Sequence, residues 1–408
     1  MRLALNFFRV DPARGGAETY VADLCRRLVR DGHQVDLYAN SWEAAALPGV
    51  TCRRVEAAGR TRTARLLDFA VNSEAALRRV SIDCAVGFIN TWHHDVLIPQ
   101  GGVHGASLEY NARRFPAGWR RAAYLLGKRL NPKIGLYRLI ERKQYDPARG
   151  ARMVAVSRMV RGHLERFHGV PRDLIRVIPN AIDTARLEVA DRGAARRDLR
   201  TQLGLTESDL VGLFVGHNFW LKGLKPLLVA LHGRKTREPK ARPIHLLVCG
   251  GGKPGPFRGI IDRLGLADTV HFLGFLPEVA AGYWASDFFV QPTYYDPCSL
   301  VVFEALACGL PVITTACNGA GEVITPGREG YVIQTPEAVE HLEDCLDRMA
   351  DDSTRWAMSA DAARLGRAQS FDVHVARLLD LFAEVAAGKP APRPQVPASR
   401  SLAAHHAG

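Results

Sequence analysis

The chain has 408 residues, with 54 Lys and Arg against 42 Asp and Glu for a net charge of +12; 47% of residues are apolar and 24% charged. This is a globular composition, long enough for two domains of ordinary size. No apolar run reaches the ~18 residues that cross a bilayer, which argues against a helical membrane-spanning class.

The N-terminal stretch MRLALNFFRVDPARGG has no small-residue cleavage site, so no signal peptide is expected. The eight cysteines form no C-x-x-C pair. Reduced thiols of a cytoplasmic protein, with no metal site, are expected. The positive charge is concentrated: Arg113 to Arg166 holds fifteen Lys and Arg against Glu141, Asp146 and Glu165. Phe115, Trp119, Tyr124 and Tyr137 are interleaved with them, a mixture that suits an anionic membrane surface at least as well as nucleic acid; a membrane surface, and no nucleic acid, is the partner expected.

In chain order, Arg2 to Phe8 reads as a strand. The loop to Gly15-Gly16 leads into a helix from Ala17, whose apolar stripe is Ala17, Tyr20, Val21, Leu24 and Leu28. Gly32 stops it, and Gln34 to Ala39 is the next strand. A Gly-Gly strand-to-helix turn lets a ligand approach the backbone and the helix N-terminus. It is not G-x-G-x-x-G, so dinucleotide binding is not indicated. A helix over 63–79, a strand over 84–89 and a strand over 154–157 follow. The Ser157 helix runs to about His168. His104, after Gly101-Gly102, has the chemistry to hydrogen-bond a sugar hydroxyl. A connecting helix is expected over 191–200.

The second half repeats the plan. Asp209 to Val215 is a near-continuous apolar strand, as in a parallel sheet. It runs into Gly216-His217-Asn218-Phe219-Trp220-Leu221-Lys222-Gly223 and a helix from Leu224. Lys222 leaves that turn with an ammonium suited to neutralising charge on a phosphate leaving group. Strands over 245–249 and 270–273 precede Gly274-Phe275-Leu276, and another strand covers 288–291.

The densest motif is QPTYYDPCSLVVFEALACGLPVITT, from Gln291. Pro292 and Pro297 keep its first part a loop. Ser299 is placed to cap a helix carrying Leu300, Val301, Val302 and Phe303. Gly309 and Pro311 end that helix, and Val312 to Thr315 is a buried strand. The helix start is a natural phosphate seat. Asp296 before it and Glu304 one turn inside it flank that seat, which suits hydroxyls at the two ends of a sugar nucleotide.

Asp296-Pro297, Leu300 to Ala305 and Ala307 to Val312 resemble the E-x7-E region of the retaining glycosyltransferases of family 4, which have the GT-B fold. Val177-Ile-Pro-Asn-Ala-Ile-Asp183 is similar to the hinge of that family, with Ala181 where Gly is usual. Ser41-Trp42-Glu43 and Val86-Gly87-Phe88 resemble the lipopolysaccharide core glucosyltransferases among them. The resemblance covers nearly the whole chain. It departs at Asp296, where Glu is usual, and at His217 and Leu221, where Arg is frequent.

The resemblance implies an α/β fold of two Rossmann-like domains facing across a cleft: 1–185 on the acceptor side and 186–370 binding the nucleotide sugar. It also implies a helix over 371–387 that crosses back onto the first domain. A Pro- and Ala-rich tail over 388–408 reads as disordered. The implied catalytic residues are Lys222, Asp296 and His104. The implied donor-binding residues are Gly15, Gly16, His217, Lys222, Leu276, Asp296, Ser299, Leu300, Val301 and Glu304. The expected reaction moves a hexose, UDP-glucose or similar as donor, to a glycan or glycolipid of the cell envelope with retention. No cofactor is expected, and the absence of a D-x-D pair implies that no metal is used. The alternative is a protein that binds the nucleotide sugar without consuming it. No lysine stands in a pyridoxal-type context, which disfavours a phosphorylase.

Overall fold

A computed structural model describes residues 1–276 and 279–389. The expected disordered tail falls, beyond Lys389, outside the described residues. The first lobe holds β1 (Arg2–Asn6), β2 (Arg9–Val10), β3 (Gln34–Ala39), β4 (Ser41–Trp42), β5 (Thr51–Arg54), β6 (Cys84–Gly87), β7 (Val96–Leu97), β8 (Arg152–Ala155) and β9 (Ile175–Val177). Seven of these form a parallel sheet in the order β5-β3-β1-β6-β7-β8-β9, with β2 and β4 as a separate pair. Helices α1 (Gly16–Arg30), α2 (Arg62–Leu77), α3 (His104–Ala112), α4 (Trp119–Leu130), α5 (Pro132–Gln144) and α6 (Arg158–His168) connect the strands.

The second lobe holds β10 (Leu210–Val215), β11 (Ile244–Cys249), β12 (Val270–Gly274), β13 (Phe288–Gln291), β14 (Val312–Thr315) and β15 (Gly330–Ile333). They form one parallel sheet, β12-β11-β10-β13-β14-β15. Its helices are α7 (Arg192–Gln202), α8 (Leu224–Arg237), α9 (Gly255–Arg263), α10 (Val279–Ala285), α11 (Leu300–Ala307), α12 (Val339–Ala350) and α13 (Asp352–Ala368), and α14 (Phe371–Ala387) follows. Parallel strands require crossovers, so most strands' C-terminal ends open into a turn that leads toward a helix. The first turns of both lobes therefore converge on the space between the sheets, where open α/β sheets bind ligands.

The long basic segment is mostly helical, as α3, α4 and α5 inserted between β7 and β8. The first strand stops at Asn6, short of the expected Phe8, and the chain steps into β2. Ser157 does cap α6, accepting from the Val160 N–H at 3.1 Å.

The chain passes between the lobes twice. The first passage follows β9 and includes Ile182; the second is at Ser370, and the two residues are bridged side by side. α14 packs against the first lobe at β6. Its His374 is buried between the Pro179 carbonyl, 2.8 Å from Nδ1, and the Tyr20 hydroxyl, 2.7 Å from Nε2. The carbonyl requires a proton on Nδ1, so Nε2 accepts from Tyr20. Burial pushes His374 down to about 4, which keeps it neutral in this role.

Polar contacts also tie the facing edges of the lobes. Asn180 exchanges hydrogen bonds with Gln100 and donates to the Cys298 carbonyl, each at 3.0 Å. Ser157 donates to the Pro297 carbonyl at 2.8 Å. The Glu322 carboxylate accepts from the Arg158 and Met159 N–H groups at 2.9 and 2.7 Å, so one lobe caps a helix of the other.

Candidate active site

Four strand-to-helix turns meet at the cleft. The first ends in Gly15, which precedes α1; a Cβ on Gly16 would lie 3.3 Å from Leu300 Cδ1, so this turn touches the start of α11 across the cleft. The second and third follow β10 and β11. Gly250, at φ 116°, presses its backbone on the second turn so closely that a Cβ there would be 2.2 Å from the Gly216 carbonyl oxygen. The Gly251 N–H donates to His217 Nδ1 at 3.3 Å, which fixes that ring beside both turns. The fourth turn carries Asp296 and enters α11.

A cavity of about 230 Å³ lies among these turns. Gly15, Gly16, His217, Leu276, Leu300, Val301 and Glu304 line it, bringing together seven of the residues singled out in the sequence. α11 has no side-chain cap, so its first-turn N–H groups at Leu300 and Val301 have no intrahelical partner. Ser299 does not cap the helix as expected: its hydroxyl donates to Gln291 Oε1 at 3.1 Å. Its N–H is also occupied, donating to Asn318 Oδ1 at 3.2 Å. Phosphate contacts at this helix therefore fall to Leu300 and Val301.

Lys222, Asp296 and Ser299 stand behind the cavity wall. A Cβ on Gly216 would come 3.0 Å from Lys222 Cγ, so the lysine lies directly under the glycine that faces the cavity. Its ammonium is paired with Asp296 Oδ2. Asp296 is held by three more contacts: Oδ1 accepts from the Cys298 N–H at 3.2 Å, its own N–H donates to Cys317 at 3.0 Å, and its carbonyl accepts from Gly319 at 2.9 Å.

Glu304 is buried. Its carboxylate accepts from the Tyr283 hydroxyl at 2.5 Å and pairs with Arg186, which reaches on to Asp23 at 3.5 Å. Burial alone would lower the basicity of Arg186, but Glu304 and Asp23 more than offset it and hold the guanidinium charged. Arg186, Tyr283 and Asn318 were not legible as site residues in the sequence. The signal for Arg186 was its place just after the hinge motif.

His104 is not among the residues lining this cavity. It begins α3; its ring stacks on Tyr137 at 5.4 Å, and its N–H donates to Glu141 Oε1 at 2.8 Å. Burial pushes Glu141 up from 4.5 to about 7. The folded state thus binds this proton more tightly than the unfolded chain. Stability from this group is complete below pH ~4.5, falls as pH rises towards 7 and is level above. Glu141→Gln is expected to raise stability by up to about 3 kcal/mol at pH 8 and to change it little at pH 4, as read from urea melts at both pH values.

Family comparisons fit this geometry. Residues 14–186 match the family model "Glycosyltransferase Family 4", and residues 195–367 match "Glycosyl transferases group 1". The chain is a family 4 glycosyltransferase. Among similar proteins, a probable transglycosylase of Burkholderia thailandensis is 29% identical over 92% of this chain and 95% of its own. The lipopolysaccharide glucosyltransferase WaaG of Escherichia coli is 23% identical over 85% and 90%. A D-inositol 3-phosphate glycosyltransferase of Salinispora tropica is 28% identical over 91% and 82%. A crystal structure of WaaG superimposes with a TM-score of 0.77 at 22% identity, covering 93% of this glycosyltransferase and 99% of that chain. Anabaena HepE, solved with UDP-glucose, gives 0.67 at 18% identity over 94% and 100%. These structures share the fold, and the two facing parallel sheets are a GT-B architecture.

Proposed function

We propose that this glycosyltransferase moves a hexose from a UDP-sugar, UDP-glucose or a close relative, to a glycan or glycolipid of the cell envelope, such as lipopolysaccharide, retaining the anomeric configuration and using no metal. The observation that carries this reading is the convergence of three glycine turns and the open start of α11 on one cavity, with Lys222 beneath it. Free N–H groups at Leu300 and Val301 and the Lys222 ammonium stabilise the departing diphosphate. Glu304 receives the ribose hydroxyls and Asp296 the sugar hydroxyls. His104 and the Gly15-Gly16 turn stand on the acceptor side. Family membership supports sugar transfer, and HepE supports a UDP-sugar donor by likeness of fold. WaaG supports an envelope acceptor, whereas the inositol phosphate relative points to a phosphorylated polyol.

The test is hydrolysis and binding across UDP-, GDP- and ADP-hexoses with and without EDTA. Slow, EDTA-insensitive release of UDP is expected. Tight UDP-sugar binding with no turnover on any glycan acceptor would favour a non-catalytic sensor. That alternative draws on the occupied state of both carboxylates, Asp296 by Lys222 and Glu304 by Arg186.

The reading also places the protein in the cytoplasm on the inner face of the cell membrane. α4 supports this, since Trp119 and Leu130 are 76% and 72% exposed beside Arg120 and Arg129. Reversing the charges of Arg113, Arg114, Arg120, Arg121, Lys128 and Arg129 is expected to abolish flotation with phosphatidylglycerol vesicles, at about 1 kcal/mol per basic residue near the surface. Unchanged flotation would remove the membrane from the proposal.

A further inference from the structure

A second, larger cavity lies in the first lobe, away from the nucleotide turns. It measures about 870 Å³ and is walled by α3, α4, α5 and the end of α6. Lys128, Arg129, Arg138 and Arg142 line it. Among the described residues none of the four has a carboxylate partner, whereas Arg166 and Lys143 nearby are paired with Glu109 and Glu74 at 2.9 and 2.7 Å.

The acids of this cavity are already committed. Glu109 holds Arg166, Asp146 accepts from the Ala148 N–H at 3.0 Å, and the half-buried Glu141 accepts from the His104 N–H. On the same wall His168 Nε2 is buried without a hydrogen-bond partner, 3.9 Å from Glu141 Oε2. Four basic groups with no carboxylate within ion-pairing distance among the described residues surround one concave space, and an anion bound among them relieves their mutual repulsion. Guanidinium groups match phosphate oxygens through paired N–H donors, so several arginines favour a phosphate ester over a lone carboxylate.

We propose that this cavity is a binding site for a phosphate ester, with the phosphate between Lys128, Arg129, Arg138 and Arg142 and the remainder of the ligand along the apolar wall. That this phosphate belongs to the sugar acceptor rests on the transferase reading above. The site's position suits it: Tyr145 lines the cavity and donates to the Gly102 carbonyl, and Gly102 lies against Tyr295 and Pro297 of the Asp296 loop.

The phosphate has two sources to separate, a phosphorylated sugar and a lipid headgroup. Calorimetric titration of the full chain with glucose 6-phosphate and with dihexanoyl phosphatidic acid separates them without a membrane surface. Binding of either probe is expected, weakened roughly ten- to a hundredfold in R138Q/R142Q. Sugar phosphate alone would assign a phosphorylated glycan, and the lipid alone a headgroup; both outcomes support the site. R60Q/R62Q, the same charge change on and just before α2, should keep wild-type affinity. The proposal is overturned if neither probe binds, if R138Q/R142Q binds as well as wild type, or if R60Q/R62Q loses as much. UDP titrated into the same samples reports on the nucleotide pocket separately, so a failure of the transferase reading is distinguished from a failure of this site.

Discussion

Lys222→Ala is expected to lower kcat by roughly 30- to 1,000-fold, about 2–4 kcal/mol of lost leaving-group stabilisation. In the resting protein the ammonium is paired with Asp296, which keeps it extended under the Gly216 turn. A diphosphate seated on Leu300 and Val301 brings a stronger anion to the same place. The benefit grows as the sugar–oxygen bond breaks, which is the condition for accelerating the chemical step. The loss should therefore appear in kcat more than in KM, with UDP binding reduced more modestly. A structural role predicts something else. If Lys222 serves only to neutralise Asp296, Lys222→Ala would lower the melting temperature and the double variant with Asp296→Ala would restore both stability and rate. Near-wild-type turnover in the single variant would sink the catalytic assignment.

Gly223→Ala is expected to be the most damaging small substitution at the site. Gly223 sits at φ 84°, and a Cβ there would fall 1.8 Å from the Pro292 carbonyl oxygen. No side-chain rotation relieves a clash with backbone, so the Lys222 turn and the Pro292 loop must part. Strain at a left-handed position together with disrupted packing amounts to about 4 kcal/mol or more. The expected result is loss of soluble protein or a fall in melting temperature of several degrees. Gly255→Ala provides the contrast: a Cβ there meets nothing within 4 Å, and the variant should melt with the wild type.

The sequence disclosed those parts of the molecule that local rules determine. Apolar strands such as Leu210–Val215, the Gly-Gly turn before α1 and the helix between Asp296 and Gly309 follow from periodicity and turn chemistry, and the structure contains them. Contacts from far along the chain were not legible. Asn318 takes the N–H of Ser299 from 19 residues away, and the serine hydroxyl is drawn from its expected capping role by Gln291 on the preceding strand. Arg186 reaches Glu304 across 118 residues, and Glu322 caps α6 from the opposite lobe. The basic segment announced its charge but not its three helices, because the apolar side of α4, with Trp119, Leu126 and Leu130, is exposed and gives no buried stripe to read against the arginines. His104 illustrates the same limit, since stacking on Tyr137 decides where its ring goes.

The paired passages at Ile182 and Ser370 carry a mechanical consequence. A single linker would leave the lobes free to swing and twist in all directions. Two segments fastened side by side act as a door hinge and leave chiefly one rotational degree of freedom, about an axis near the bridge. Opening for substrate exchange then preserves the alignment of the turns at the far side, so each closure returns Leu300 to Gly16 in the same register. The His374 clasp on Pro179 and Tyr20 is the pin of that hinge. Loosening it would add torsional play between donor and acceptor surfaces, with the cost felt as fewer productive closures per encounter.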